Sequence, residues 1–337
     1  MGLFDKLKGM FSSPPAGPKE TPFLDDYEDV REIRGGSMSK IYRGRHKQTK
    51  QIRIIKKVTP STPEATKKLI HELEVCFSLD HPNIVKYLAF EKREKGWYIL
   101  MELIEGSNLR DFLVDQVTAR DAKAPFFPYH QFTEIFFQAA QALKHLHEKQ
   151  FLHMDIKPEN VMIVGLKSGS PLPKKAEVKL VDFGVSVKMG DKDVPVGGSV
   201  FYIAPEVVQG GGAAALHPRV DFYALGATMY ELATGEPPFL PEFFRKKDKN
   251  WMFYSGEYDR LSREVRSAYE KELIKNRLEK VVDLAKVPYP DDMKNILGKC
   301  LELSFQRRYA MDYTLVRDLE AIVSVFARHR TGTHKAV

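Results

Sequence analysis

No stretch of this chain approaches the roughly 20 uninterrupted apolar residues that a membrane-spanning helix needs, so an integral membrane protein is not expected. Cysteine is scarce. Cys76 and Cys300 are the only two, too few for a disulfide framework, and both sit in apolar stretches of helical pattern, which fits a reducing, cytoplasmic compartment. The first residues lack the long apolar core and small-residue cleavage site of a secretory signal. There is no zinc-ligand spacing and no basic stripe interleaved with aromatics, so nucleic acid is not an expected partner. The formal charge of +7 reads as a solvated surface with a weak bias toward acidic partners. No internal repeat is visible. The composition that remains, 43% hydrophobic and 29% charged over 337 residues, is that of a globular protein large enough for two closely packed lobes.

Residues 1–11 place Leu3, Phe4, Leu7, Met10 and Phe11 on one helical stripe opposite Asp5, Lys6 and Lys8. Such a segment suits a peripheral membrane surface or a protein groove. Gly2 is available for acylation, although Lys6 stands where a myristoylation signal wants Ser or Thr. Residues 12–26 are proline-rich and read as a linker. From Tyr27 short apolar runs predict paired strands, among them QIRIIKKV and segments near 84–90 and 97–103. Ser61, Thr62 and Pro63 open a helix, with a capping box between Ser61 and Glu64, and Leu69, Ile70, Leu73 and Cys76 on one face. Beyond residue 105 the pattern turns helical, at 131–149 and near 221–234, 259–285, 291–303 and 314–328. A strand-rich lobe followed by a helical one is an α+β arrangement.

Moving a terminal phosphoryl group needs a held nucleotide, neutralised phosphate charge, a divalent cation and an aimed acceptor hydroxyl. HMDIKPEN at 153–160 places an aspartate, a lysine and an asparagine in one short loop, and DFG follows at 182–184 after the apolar run VKLV. Either motif alone could be an ordinary turn. Together, with GSVFYIAPE at 198–206 and DFYALG from Asp221, they resemble the eukaryotic-type (Hanks-type) serine/threonine protein kinase family over roughly residues 27–326.

The resemblance implies a bilobal protein-kinase-like fold. A small strand-rich lobe with one regulatory helix (27–105) precedes a larger helical lobe (106–326), which carries an insertion at about 245–288. A basic tail covers 327–337. It implies ATP with Mg²⁺, or Mn²⁺ in its place, and a protein Ser or Thr acceptor. Asp155 matches the catalytic aspartate and Lys157 the lysine beside the transferred group. Asn160 and Asp182 match the metal ligands. Lys56 matches the lysine on the α- and β-phosphates, and Glu72 its partner on the helix. Nucleotide contacts fall to Ile33, Gly36, Ile41, Ile54, Lys56, Glu102, Ile104 and Met162, with Met101 as the bulky residue before the adenine-binding backbone. Glu206 is expected to pair with Arg308, Asp221 to hold the catalytic-loop backbone, and Ser199 to face the substrate.

Several positions depart from the family pattern. In IRGGSMSKIY only Gly36 stands at a family glycine, with Arg34 and Ser39 replacing two others. Ile54 replaces a smaller residue above the adenine. Asn108 stands where kinases that prefer basic substrates often have an acid, so arginine selectivity is not expected. Met154 replaces the arginine before the catalytic aspartate, and VKMGDKDVPVGG between Ser186 and Ser199 has no hydroxyl, so activity should not depend on activation-segment phosphorylation. Residues 165–177 lengthen a hairpin. In the 245–288 insertion Trp251, Phe253, Tyr254, Tyr258, Leu261, Val265 and Tyr269 form either a satellite core, the preferred reading, or a docking face. The competing functions are a pseudokinase scaffold that binds nucleotide, supported by Arg34, Ile54 and the insertions, and a kinase-like fold acting on a small molecule. The five matching polar residues and the Ser199–Glu206 segment weigh against them.

Overall fold

The structure is a computed structural model that describes residues 23–35, 39–93, 96–119, 124–191, 198–210, 216–241 and 261–330. The amphipathic segment 1–11, Gly36, Lys192, Asp193 and the aromatics Trp251, Phe253, Tyr254 and Tyr258 lie outside the described residues. The chain divides into two compact units, one ending at Ile104 and the other starting at Glu105.

The first unit contains β1 (Tyr27–Gly35), β2 (Ser39–His46), β3 (Ile52–Val58), α1 (Pro63–Ser78), β4 (Tyr87–Arg93) and β5 (Gly96–Glu102). The strands form one antiparallel sheet in the order β1-β2-β3-β5-β4. Alternation along β3 drives the packing: fully buried Ile55 joins Tyr27 and Tyr98 in a core cluster, while Ile54 and Lys56 point to the opposite face. Pro63 fits the first helical position because its missing N–H would be unpaired there. The cap, however, is Thr62 and not Ser61. Thr62 has the extended backbone (φ −136°) that lets its hydroxyl accept from the Ala65 amide at 3.1 Å, so the expected box with Glu64 does not form. The fourth and fifth strands lie within a few residues of their expected places, at 87–93 and 96–102.

The second unit runs β6 (Gly106–Asn108), α2 (Leu109–Thr118), α3 (Tyr129–Glu148), β7 (Phe151–Leu152), β8 (Val161–Val164), β9 (Val178–Leu180), β10 (Val187–Lys188), α4 (Pro205–Val208), α5 (Arg219–Thr234), α6 (Arg263–Glu279), α7 (Asp291–Cys300) and α8 (Asp312–Arg330). β6-β8-β9 and β7-β10 make two small antiparallel sheets. α5 is buried on all sides, as its apolar surface requires. Gly226 lets it approach α7 closely: a Cβ there would lie 2.6 Å from Cys300 Cβ. The 165–177 extension is tied down. Gln131 and Gln138 of α3 donate to the Pro173 and Ala176 carbonyls, and Asp115 of α2 accepts from Ser168 and the Gly169 amide. α6 is shorter than the 259–285 pattern suggested; it buries Leu273, Asn276 and Arg277 and leaves Val265 exposed. α8 continues to Arg330, into the segment read as a basic tail.

Candidate active site

Antiparallel registry places Ile41 opposite Lys56 and Ile54 opposite Met101, so these four side chains share one face of the first sheet. Lys56 reaches Glu72 of α1 at 2.5 Å, with both side chains mostly buried. Lys57, the next residue in the chain, carries the same charge. The pleat separates the two, sending Lys57 to the other face, 5.7 Å from the centre of the Tyr98 ring. Glu102 ends β5 with its amide on the Lys86 carbonyl and its carboxylate on the Lys86 amide. Ile104 is half-buried at the end of this unit, and Ile33 on β1 is 56% exposed.

In the second unit the strands β7 and β8 bracket the loop 153–160, and a 3₁₀ turn over Pro158–Asn160 closes it. Both Asp155 carboxylate oxygens are engaged. Oδ1 accepts from the Ser199 amide at 3.0 Å; Oδ2 accepts from Lys157 Nζ at 2.5 Å and Asn160 Nδ2 at 3.1 Å. Asn160 also donates to the Asp155 carbonyl, which leaves its amide oxygen without a hydrogen-bond partner among the described residues. Asp182 is exposed and left-handed (φ 64°), between β9 and the buried Phe183 ring that packs 4.9 Å from His153. Burial pushes His153 down, so it is neutral and its Nδ1 accepts from the Asp155 amide. Met162 lies half-buried on β8 opposite Asn108. Asn108 caps α2, accepting from the Asp111 amide and donating to the Asp111 carboxylate.

Nothing among the described residues forms a group of three or more His, Cys, Asp and Glu suited to a metal. One carboxylate (Asp182) and one amide oxygen (Asn160) are nevertheless a fitting set for Mg²⁺, which keeps water and phosphate oxygens as its other ligands.

The supports are buried. Arg308 makes a two-pronged pair with Glu206, at 2.7 and 2.9 Å, and also donates to the Glu302 carbonyl. Asp221, fully buried, accepts from the His153 and Met154 amides at 2.8 and 2.9 Å. Two further assemblies were not anticipated. Arg110 of α2 binds Glu231 of α5 through two nitrogens, Glu159 of the loop at 3.0 Å, and the Tyr202 hydroxyl. Burial works against its charge, but Glu231, Tyr202 and Glu159 outweigh it. His147 of α3 lies between Asp221 and Asp312. Their members lie far apart in sequence, and no local pattern marks them.

Residues 27–318 match the protein kinase domain, and the chain belongs to that family. Its relatives include the serine/threonine-protein kinase RUNKEL of Arabidopsis thaliana, 30% identical over 67% of this chain and 15% of that protein. The serine/threonine-protein kinase PrkC of Bacillus subtilis is 30% identical over 63% of this chain and 31% of that protein. An Aurora kinase of Candida glabrata is 33% identical over 64% of this chain and 56% of that protein. The matched part is therefore less than two thirds of each relative's length.

Proposed function

We propose that this chain is a serine/threonine protein kinase, transferring the terminal phosphoryl group of ATP to a protein Ser or Thr hydroxyl. The observation that carries the reading is the threefold hold on Asp155 by Lys157, Asn160 and the Ser199 amide. A carboxylate fixed in this way is aimed to accept or steer the acceptor hydroxyl's proton. Lys157 lies within reach of that carboxylate and adds positive charge beside the transferred group. Asn160 and Asp182 would hold the cation, Mg²⁺ or Mn²⁺, which when bound would neutralise phosphate charge. Lys56, steadied by Glu72, contacts the α- and β-phosphates. Ile33, Ile41 and Ile54 of the first unit, and separately Met162 of the second, are assigned contacts with the nucleotide, and the backbone at Glu102 and Ile104 is assigned to adenine. A scaffold without transfer activity finds no support, because Lys56, Glu72, Asp155, Asn160 and Asp182 are all retained. The test is incubation of purified protein with labelled ATP, Mg²⁺ and Ser/Thr acceptors, beside Asp155→Asn. Label transfer by the wild type alone is expected; equal transfer by both would overturn the reading.

Activity independent of activation-segment phosphorylation is part of this proposal. An arginine before the catalytic aspartate would give a phosphate its partner, whereas Met154 is buried, uncharged and bonded through its amide to Asp221. Phosphatase-treated enzyme, verified by intact mass, should keep most of its initial rate. A tenfold fall, about 1.4 kcal/mol in barrier, would show the opposite.

The proposed setting is cytoplasmic, with residues 1–11 docking peripherally on an anionic membrane. Cys76 and Cys300 are both free and buried, as in a reducing compartment. Among the described residues no helix is long and apolar enough to cross a membrane. Eleven residues are too few for a stable helix in water, so the segment should order only on contact. Full-length protein should co-sediment with anionic liposomes more than a chain starting at Thr21; equal sedimentation removes the idea.

A further inference from the structure

Two buried side chains, Asp221 and His147, and the half-buried Asp312 connect the catalytic loop to the last helix. Asp221, at the start of α5, grips the loop through the amides of His153 and Met154. Its Oδ2 also meets His147 Nε2 at 2.8 Å, and His147 Nδ1 meets Asp312 Oδ1, in the first turn of α8, at 2.5 Å. A ring with a carboxylate on each nitrogen is satisfied only as imidazolium, since a neutral ring has one N–H to give. The groups around it are Asp221 from α5, Asp312 from α8, His217 ahead of α5, and the Phe222 ring 5.7 Å away, while His153 of the loop faces Asp221. Burial opposes charge on His147, but the hydrogen bonds to Asp221 and Asp312 prevail and raise it to about 9.

The loop needs this hold. Met154 adopts a left-handed backbone (φ 66°), unfavourable for any residue with a side chain. Its carbonyl lies so near Gly198 that a Cβ there would be 2.5 Å from the oxygen, and Gly198 is itself left-handed (φ 116°). Asp155 is the next residue after Met154, and its Oδ1 accepts from the residue after Gly198. A displaced Asp221 would therefore release both the strained turn and the aim of the Asp155 carboxylate.

We propose that Asp312 is a positioning residue for phosphoryl transfer: through the His147 imidazolium it fixes Asp221, and so the loop that aims Asp155. The proposal rests on the kinase reading above. Because His147 holds its proton more tightly folded than unfolded, the stabilisation is fully present below its ordinary value of 6.5 and is lost as pH rises through about 9.

The test measures kcat and the KM for ATP and acceptor peptide from about pH 6.5 to about pH 10, in wild type and Asp312→Asn. Imidazole NMR follows His147 in parallel, its signal identified by loss in His147→Gln. In the wild type, kcat should fall with the midpoint at which His147 deprotonates. In Asp312→Asn both midpoints should move down together by about one pH unit, the effect of losing one adjacent carboxylate, with KM changed by less than about twofold. Asp312→Glu should restore the wild-type limb. A kcat limb that stays in place while His147 shifts and thermal stability falls would overturn the proposal, leaving the contact a purely structural one. If Asp312→Asn does not fold, the wild type decides alone: clearly separate midpoints for kcat and His147 overturn it. A wild type inactive at every pH would instead overturn the kinase reading, while the His147 titration could still be followed.

Discussion

Asp155→Asn should reduce phosphoryl transfer by about 10²–10³-fold, the cost of removing one preorganised electrostatic group. The amide is nearly isosteric, and its oxygen can still accept from the Ser199 amide. Its NH₂ end, however, would face Lys157 Nζ and Asn160 Nδ2, two donors that now bind the second carboxylate oxygen. The variant thus loses the proton acceptor and the partner of Lys157 in one step. Lys56→Met should have an effect of similar size, because it removes the positive charge assigned to the α- and β-phosphates. Asp182→Asn should do likewise by weakening the hold on the cation. All three should fold, since Asp182 is exposed and Asp155 and Lys56 are only partly buried. Initial rates beside circular dichroism check both halves; undiminished activity in Asp155→Asn would sink the mechanism.

Arg110→Ala should destabilise the second unit by about 3–5 kcal/mol, the usual cost of stranding one partner of a buried ion pair. Glu231 has no exposed surface, and without the guanidinium its carboxylate loses both charge-assisted bonds, while the Tyr202 hydroxyl still donates to it. Glu159, one-third exposed, would recover water and lose little. The double change Arg110→Met with Glu231→Leu should regain most of the loss, because no uncompensated charge remains inside. Urea denaturation of the three proteins measures this. A single variant within about 0.5 kcal/mol of wild type would show that Arg110 contributes through neither partner. Glu159 belongs to the catalytic loop and Tyr202 to the segment after Ser199, so the network also joins these two pieces to α5.

Pattern in the sequence identified the strand-rich and helical parts because burial repeats every second residue in one and about every 3.6 in the other. Ile55 between Ile54 and Lys56, and Leu69, Leu73 and Cys76 along α1, are readable for that reason. The boundaries were less legible. Thr62 displaced Ser61 as the cap because capping depends on which residue adopts the extended backbone, not on which residue types are present. Asn108 was read by its position in a family pattern, yet locally it serves as a helix cap, a use open to any Asn before a helical run.

By itself the sequence determined which chemical groups are available and their order: HMDIKPEN keeps Asp155, Lys157 and Asn160 together because a short loop needs no distant contact to assemble them. Lys56 paired with Glu72, and Arg308 with Glu206, were legible only through the family spacing. Tertiary structure alone decided which charges are buried against one another. Arg110 meets Glu231 and Tyr202, and His147 meets Asp221 and Asp312, across separations of 121, 92, 74 and 165 residues. Charges such as those of Arg110 and His147 are stabilised inside by an opposite charge, and helix packing, which no local periodicity encodes, decides where that opposite lies.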